Sequence, residues 1–145
     1  YSLDIASLGL DGSKRHLVFD AWEHTWSWID DGRVEATLEP RSDVVYVVRE
    51  EPSTPAVVFT TRHLLGGAVE VHDEAWAADT STLRATISTV PGAPIRVWVG
   101  AAGRSVDHVD VPGAADVSHE GKDGLLAIAF VPSSAASTLT IRFAD

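Results

Sequence analysis

The sequence predicts an all-β protein, a two-sheet antiparallel β-sandwich of Greek-key type with very little helix. Apolar and polar residues alternate along most of the chain, and a period of two places one face of each strand on a core. Turn residues recur at roughly the 8–12-residue spacing typical of a sandwich. No segment carries the sustained i, i+3, i+4 apolar stripe of a helix. We expect about nine or ten strands, too many for one open sheet, so two sheets should pack face to face.

The strands of the first half are predicted from two apolar runs and one alternation. Residues 44–48 and 56–59 are continuously apolar and rich in β-branched side chains, which favours central strands covered on both faces. Val69 and Val71 then alternate with polar neighbours, which predicts a strand exposed on one face.

Four strands of the second half show clear alternation. Their inward positions are expected to be Leu83, Ala85 and Ile87; Ile95, Val97 and Val99; Leu126, Ile128 and Phe130; and Leu139, Ile141 and Phe143. Residues 100–124 have the weakest pattern, so we expect short edge strands and loops there.

Turn residues separate these runs. Each supplies a residue that tolerates a positive φ or presets φ, as in Asp11-Gly12, Asp30-Asp31-Gly32, Gly66-Gly67, Pro91-Gly92, Pro112-Gly113 and Asp123-Gly124. We expect Asp30-Asp31-Gly32 to be a hairpin turn.

The composition excludes several classes of function. The chain has no Cys, which excludes thiol catalysis, thiolate metal sites and disulfides. A formal charge of −10 argues against nucleic acid and anionic membranes as partners, because carboxylates repel phosphate. No apolar run approaches the ~20 residues of a membrane-spanning helix. We expect no cofactor and no metal.

We expect residues 1–145 to form a single β-sandwich domain. A chain of this length buries roughly two thirds of its unfolded surface and needs neither a metal nor a disulfide for stability. It opens at Tyr1 directly on a strand-like pattern, without Met or a signal peptide. We therefore expect a segment excised from the C-terminal end of a longer protein.

The densest feature is a tryptophan-rich segment at residues 19–28. Trp22, Trp26 and Trp28 share parity, so in an extended chain they would point to one face. Three interpretations stay open: core packing, a contact surface for a neighbouring domain, and a platform for sugars, because indole faces attract the C–H faces of pyranose rings. Trp98 lies on the nominally outer face of its strand, which suggests cover by a domain, a ligand or loops.

Catalytic motifs are weak. Asp20, Glu23, Asp30 and Asp31 are candidates for paired carboxylates in glycosidic acid–base chemistry, but in a chain with 21 acidic residues such pairs also arise by chance. His63 and His72 flank the Gly66-Gly67 turn, where a shared metal is conceivable, yet no ligand spacing typical of a metal site is present. There is no GxSxG serine elbow, phosphate-binding loop or GxGxxG motif.

Several ordered motifs resemble a known type of domain. They are Leu3-Asp4-Ile5, then His16-Leu17-Val18-Phe19-Asp20-Ala21-Trp22, then Leu38-Glu39-Pro40, and later Arg62-His63-Leu64-Leu65-Gly66-Gly67. This order is similar to the β-sandwich that follows the catalytic (β/α)8 barrel in α-galactosidase-like glycoside hydrolases. The resemblance covers roughly residues 1–100.

The resemblance implies a function without catalysis in this chain. In that family both catalytic aspartates belong to the barrel, so no catalytic residue transfers to any position here. We expect a non-catalytic accessory domain of a bacterial glycoside hydrolase that packs on the catalytic domain of the parent protein and stabilises or shapes it. The alternative is a carbohydrate-binding module that uses Trp22, Trp26, Trp28 or Trp98. A third possibility is a free-standing β-sandwich enzyme.

Overall fold

A computed structural model describes residues 1–62 and 66–144 of the chain. The described residues form thirteen strands in four antiparallel sheets and one short 3₁₀ helix, Ile5–Leu8. The predicted all-β fold class is therefore confirmed. Contacts divide the chain into two compact units, Tyr1–Glu51 and Pro52–Asp145, here called the N-terminal unit and the C-terminal unit. The expectation of a single domain stays a prediction.

The N-terminal unit contains two small sheets. Its strands are β1 (Ser2–Asp4), β2 (His16–Asp20), β3 (Thr25–Ile29), β4 (Arg33–Glu35) and β5 (Tyr46–Glu50). One sheet has the order β3-β2-β5, and the other pairs β1 with β4. Ile5, Val18 and Val34 form a small buried cluster, with partly buried side chains packed on it: Leu3, Leu10, Ile29, Tyr46 and Val48.

The C-terminal unit is a sandwich of two four-stranded sheets. Its strands are β6 (Ala56–Thr60), β7 (Val71–Ala77), β8 (Thr82–Ser88), β9 (Ile95–Gly100), β10 (Val106–Asp110), β11 (Ala115–Lys122), β12 (Leu125–Val131) and β13 (Ala136–Phe143). The sheet orders are β10-β13-β8-β7 and β11-β12-β9-β6. Strands far apart in sequence are thus neighbours, since the chain crosses between the two sheets after β6, β8, β9, β10 and β12.

The alternation read from the sequence gives the core of this sandwich. All four predicted inward triplets, on β8, β9, β12 and β13, belong to one buried cluster. Complete burial of a Leu, Ile or Phe side chain contributes about 1.5–3 kcal/mol, so this cluster is the main source of stability in the C-terminal unit.

Two turns show why the sequence places glycine where it does. Asp123 and Gly124 have φ values of 51° and 80° and join β11 to β12 as a two-residue hairpin, which requires two positive φ angles when it is type I′. Gly32 has φ 69°, and a Cβ there would lie 2.9 Å from the Gly12 carbonyl oxygen. Any larger residue at position 32 is therefore both strained and obstructed.

Several sequence expectations differ from the structure. Residues 44–48 and 56–59 were expected in central strands, but β5 and β6 each lie at the edge of their sheet among the described residues. A continuous apolar run indicates that both faces of a strand are covered, but it does not indicate that both edges of the strand are hydrogen-bonded. Val57, Val58 and Phe59 are indeed buried. Cover was thus predicted correctly for residues 57–59, whereas residues 44–48 are only half-buried and β5 begins at Tyr46. The position in the sheet was predicted wrongly for both runs.

The strand predicted at Val69 begins two residues later, at Val71. Glu70 is buried, and its carboxylate accepts hydrogen bonds from the Thr60 hydroxyl and from the Gly67 N–H at 3.0 Å. These bonds hold residues 66–70 as a turn, so Val69 stays exposed.

The weakly patterned stretch 100–124 contains two edge strands, β10 and β11, as expected. β11 is not short: it has eight residues, all of them exposed, and its pairing with β12 shifts register between Ala115 and Ser118. A strand that carries no apolar face towards a core leaves no alternation to read.

Candidate functional site

The tryptophan-rich segment spans the connection between β2 and β3. The Asp20 carboxylate accepts hydrogen bonds from the N–H groups of Trp22 at 2.9 Å and Glu23 at 3.0 Å, which is the capping pattern that Asp favours at a turn. Trp22 lies in this turn and is 48% exposed. Strand alternation therefore does not determine where its indole points.

Trp26 and Trp28 both lie on β3 and are half-buried. Trp26 is opposite Phe19 on β2, and the two rings stack with centroids 6.4 Å apart and 8° between their planes. The Arg15 guanidinium carbon lies 4.6 Å from the Trp28 ring centroid, within cation–π distance. Contacts of this kind fix the orientation of both indoles.

Trp98 has a different environment. It is only 1% exposed, its ring meets Phe59 edge to face at 5.6 Å, and the Arg96 guanidinium carbon lies 5.7 Å from its centroid. The described structure therefore covers the outer-face indole that the sequence singled out. A ligand arriving from solvent does not reach it without a rearrangement.

A groove of about 610 Å³ lies in the N-terminal unit, and we call it the N-terminal groove. It runs along β3 and β4, which belong to different sheets. Its described lining residues are Val18, Asp20, Thr25, Trp26, Ser27, Trp28, Ile29, Asp30, Asp31, Arg33, Val34, Glu35 and Tyr46. The strand register places Tyr46 on the Val18 face of this sheet, and Trp26 and Trp28 on the opposite face with Phe19 and Leu17. The groove thus combines the Tyr46 side chain with carboxylates, whereas the two tryptophans line it through their backbone.

The separation of β3 from β4 corrects one expectation. The turn Asp30-Asp31-Gly32 was predicted to close a hairpin, but among the described residues β3 pairs with β2 and β4 pairs with β1. The Ile5 N–H donates to the Gly32 carbonyl at 3.0 Å, which ties this turn to the 3₁₀ helix. The two strands leave the turn towards different sheets, and both line the groove.

The carboxylates of the groove are held by local bonds. Asp31 accepts from the Arg33 N–H at 3.1 Å, and Asp30 forms a 3.3 Å ion pair with the Arg15 Nε. Asp20 caps the β2–β3 turn as described above. Their oxygens are acceptors for hydroxyl groups or amines in positions that the fold sets in advance.

The charge of this groove is strongly negative. Its lining contains four carboxylates (Asp20, Asp30, Asp31, Glu35) and one guanidinium (Arg33), so its formal charge is −3. Sequence reasoning found three of the four carboxylates; Glu23, the fourth candidate, does not line the groove. Glu35 and Tyr46 were missed, because only the pairing of distant strands places them here.

The proposed histidine pair is only partly described. His63 lies outside the described residues, and the His72 Nε2 is 3.1 Å from the Ser88 hydroxyl oxygen. Within residues 1–62 and 66–144, no three His, Cys, Asp or Glu side chains come together as a metal-binding group. In the same residues, no helix is long and apolar enough to cross a membrane.

Comparison with protein-family models, curated proteins and solved structures gives no match to this chain. The resemblance to the C-terminal sandwich of α-galactosidase-like enzymes therefore stays a prediction from the residues themselves.

Proposed function

We propose that this chain is a non-catalytic carbohydrate-binding module and that saccharide binds in the N-terminal groove. The observation that carries the proposal is the groove itself, which places the Tyr46 side chain beside four carboxylates in one concave surface. Aromatic rings offer a negative face to the C–H groups of a pyranose. Carboxylate oxygens accept hydrogen bonds from its hydroxyls.

The dimensions of the groove support a ligand of this class. Its volume of about 610 Å³ lies within the ~300–1,000 Å³ typical of small-molecule sites. A neutral, hydroxyl-rich ligand also suits its charge, because a groove of formal charge −3 would repel anions.

The geometry favours binding over catalysis. Asp20 and Asp31 are engaged in turns and Asp30 in an ion pair, so each has a structural role that does not depend on a substrate. Acid–base catalysis would in addition require one carboxyl group kept protonated beside one kept ionised.

The test is a titration of the protein with galactose, melibiose and a panel of polysaccharides, followed by tryptophan fluorescence and calorimetry. We expect Tyr46→Ala to weaken binding about tenfold or more, as expected for an aromatic contact residue. Trp22→Ala is the matched control, because Trp22 does not line the groove. Glu35→Gln removes an acceptor charge without touching the stacked rings and should also weaken binding.

Two results would contradict the proposal. One is the absence of any response across the panel. The other is equal binding by the wild type, Tyr46→Ala and Glu35→Gln, with circular dichroism showing that both variants are folded.

A second candidate function is the accessory role on a catalytic barrel, and exposed apolar side chains of the N-terminal unit favour it. Leu8 is 52% exposed, Trp22 48% and Leu38 44%. Large apolar side chains in contact with solvent are typical of surfaces that another protein covers.

This role is tested with an α-galactosidase-type barrel produced without its own C-terminal sandwich. Adding the chain in trans should raise the melting temperature of the barrel, and Trp22→Ser should remove that increase. An unchanged melting temperature would contradict the accessory role, while leaving the saccharide titration to be judged separately.

A further inference from the structure

A second groove, of about 400 Å³, lies in the C-terminal unit, and we call it the C-terminal groove. It opens where the loop before β10 faces the end of β11 and its hairpin to β12. Its described lining residues are Ala101, Arg104, Ser105, Val106, His119, Gly121, Lys122, Asp123, Gly124, Leu125 and Leu126.

The floor of this groove is aliphatic. Val106 and Leu126 belong to the core cluster or pack against it. Gly121 is the cross-strand partner of Leu126, so a side chain at position 121 would point the same way, into the groove. A Cβ built on Gly121 would meet only the Leu125 carbonyl oxygen, at 4.0 Å. The space therefore exists because this strand position carries no side chain.

The rim of the groove is cationic, in contrast to the rest of an acidic chain. The Arg104 guanidinium carbon lies 5.1 Å from the Trp76 ring centroid, within cation–π distance. The planar fork of guanidinium N–H donors matches the two oxygens of a carboxylate. Lys122 and His119 line the same groove, and Asp123 adds one carboxylate to the described lining.

The geometry points to a binding site for a small organic carboxylate in the C-terminal groove. Arg104 binds the carboxylate in bidentate fashion, Lys122 adds a second positive charge, and the carbon body packs on Val106 and Leu126. With neutral His119, two cations and one carboxylate give the lining a formal charge of +1. This site is separate from the saccharide groove and does not depend on the function proposed for it.

Two sources share this chemistry: a free aliphatic or alicyclic acid, and the uronate unit of an acidic saccharide. The experiment titrates cyclohexanecarboxylate against its neutral amide, and galacturonate against neutral galactose, into the full chain. Trp76, beneath Arg104, serves as the fluorescence reporter, and calorimetry gives the affinity. Both comparisons change charge while keeping the carbon body nearly constant.

We expect at least one acid to bind, and we expect the affinity of its neutral analogue to be at least about tenfold lower. The acid that binds identifies the source. Arg104→Gln should weaken the acid about tenfold or more, whereas Arg84→Gln, an exposed guanidinium on β8, should leave it unchanged. Tyr46→Ala should also leave acid binding unchanged, which separates this site from the N-terminal groove.

Gly121→Val is the steric test. Position 121 is a strand position without a positive φ, where valine is well tolerated, and its side chain would occupy the groove. We expect loss of acid binding in a folded protein, with Ser118→Val on the same strand as the matched control. Binding of the neutral analogues as tight as that of the acids, no binding of either acid, or full binding in Gly121→Val would each overturn the proposal.

Discussion

The two grooves of this protein differ in every property that selects a ligand. The N-terminal groove has a formal charge of −3 and an aromatic side chain, Tyr46, in its lining. The C-terminal groove has a formal charge of +1 and an aliphatic floor. Both occur in a chain of net charge −10. The net charge of a protein thus affects which partners its surface as a whole attracts, but it does not determine the charge of an individual groove.

The two grooves also differ in how the backbone creates them. The N-terminal groove lies along two strands that leave one turn for different sheets. The C-terminal groove exists because Gly121, the cross-strand partner of Leu126, leaves a position of β11 without a side chain. The shape of the N-terminal groove should therefore depend on the backbone geometry of the turn, and the free volume of the C-terminal groove on the size of the residue at position 121.

The largest expected effect concerns the cores behind the two grooves. Ile141 belongs to the large cluster of the C-terminal unit, whereas Ile5 belongs to the small one of the N-terminal unit, and both are fully buried. We expect Ile141→Ala to lower the free energy of unfolding by about 4–5 kcal/mol and Ile5→Ala by about 2–3 kcal/mol, since a small cluster relaxes more readily into the cavity. Urea denaturation measures both. Equal losses would contradict the difference.

A matched pair of glycine substitutions compares the glycine at the turn beside the N-terminal groove with the glycine that opens the C-terminal groove. Gly32→Ala forces a positive φ and places its Cβ 2.9 Å from the Gly12 carbonyl oxygen, so we expect a loss of about 1–3 kcal/mol in unfolding free energy. Gly121→Ala meets nothing closer than 4.0 Å, and we expect a change between zero and about 1 kcal/mol of stabilisation. Thermal and urea unfolding of both variants give the comparison, and destabilisation by Gly121→Ala as large as by Gly32→Ala would contradict it.

The smallest effect is the pH dependence of surface ion pairs in the two units. In the N-terminal unit the Glu50 carboxylate, 2.6 Å from the Lys14 Nζ, raises the pKa of Lys14 through its hydrogen bond and its charge. Because the folded-state pKa is the higher one, the stabilisation is complete below the ordinary lysine pKa of 10.5 and is lost as pH rises through the folded value.

Glu50→Gln should therefore flatten a small alkaline decrease in unfolding free energy, measured by urea denaturation between pH 9 and 11.5. The control is Asp107→Asn in the C-terminal unit, which removes the 2.6 Å pair with Arg142. Arginine stays charged across this range, so the alkaline slope should persist in that variant. A slope that vanished equally in both would exclude Lys14 as its source.

The core could be predicted from the sequence because alternation is a local property. Leu139, Ile141 and Phe143 report one buried face without any knowledge of which strand lies beside them. The same locality limits the prediction of the grooves. Glu35 and Tyr46 reach the N-terminal groove only through pairings between strands that are distant in sequence.

Several candidate residues could be identified from the sequence, but their contacts could not be predicted. Asp20 and Asp31 were visible as acids near tryptophans, but their hydrogen bonds to turn N–H groups follow from backbone geometry. Trp98 was noticed as an indole on an outer strand face, yet its cover, like the cation–π contact of Arg104 with Trp76, depends on tertiary packing. No single-residue pattern signals such a contact.

The long edge strand β11 affects how readily the protein would associate in concentrated solution. It offers an open row of peptide groups, the kind of template on which chains add to one another and polymerise. Asp116, Glu120 and Lys122 place charges along it, and the register irregularity after Ala115 interrupts its regular ladder. Such charges and bulges oppose the pairing of a second strand. We therefore expect the edge of β11 to resist the strand addition that leads to fibres.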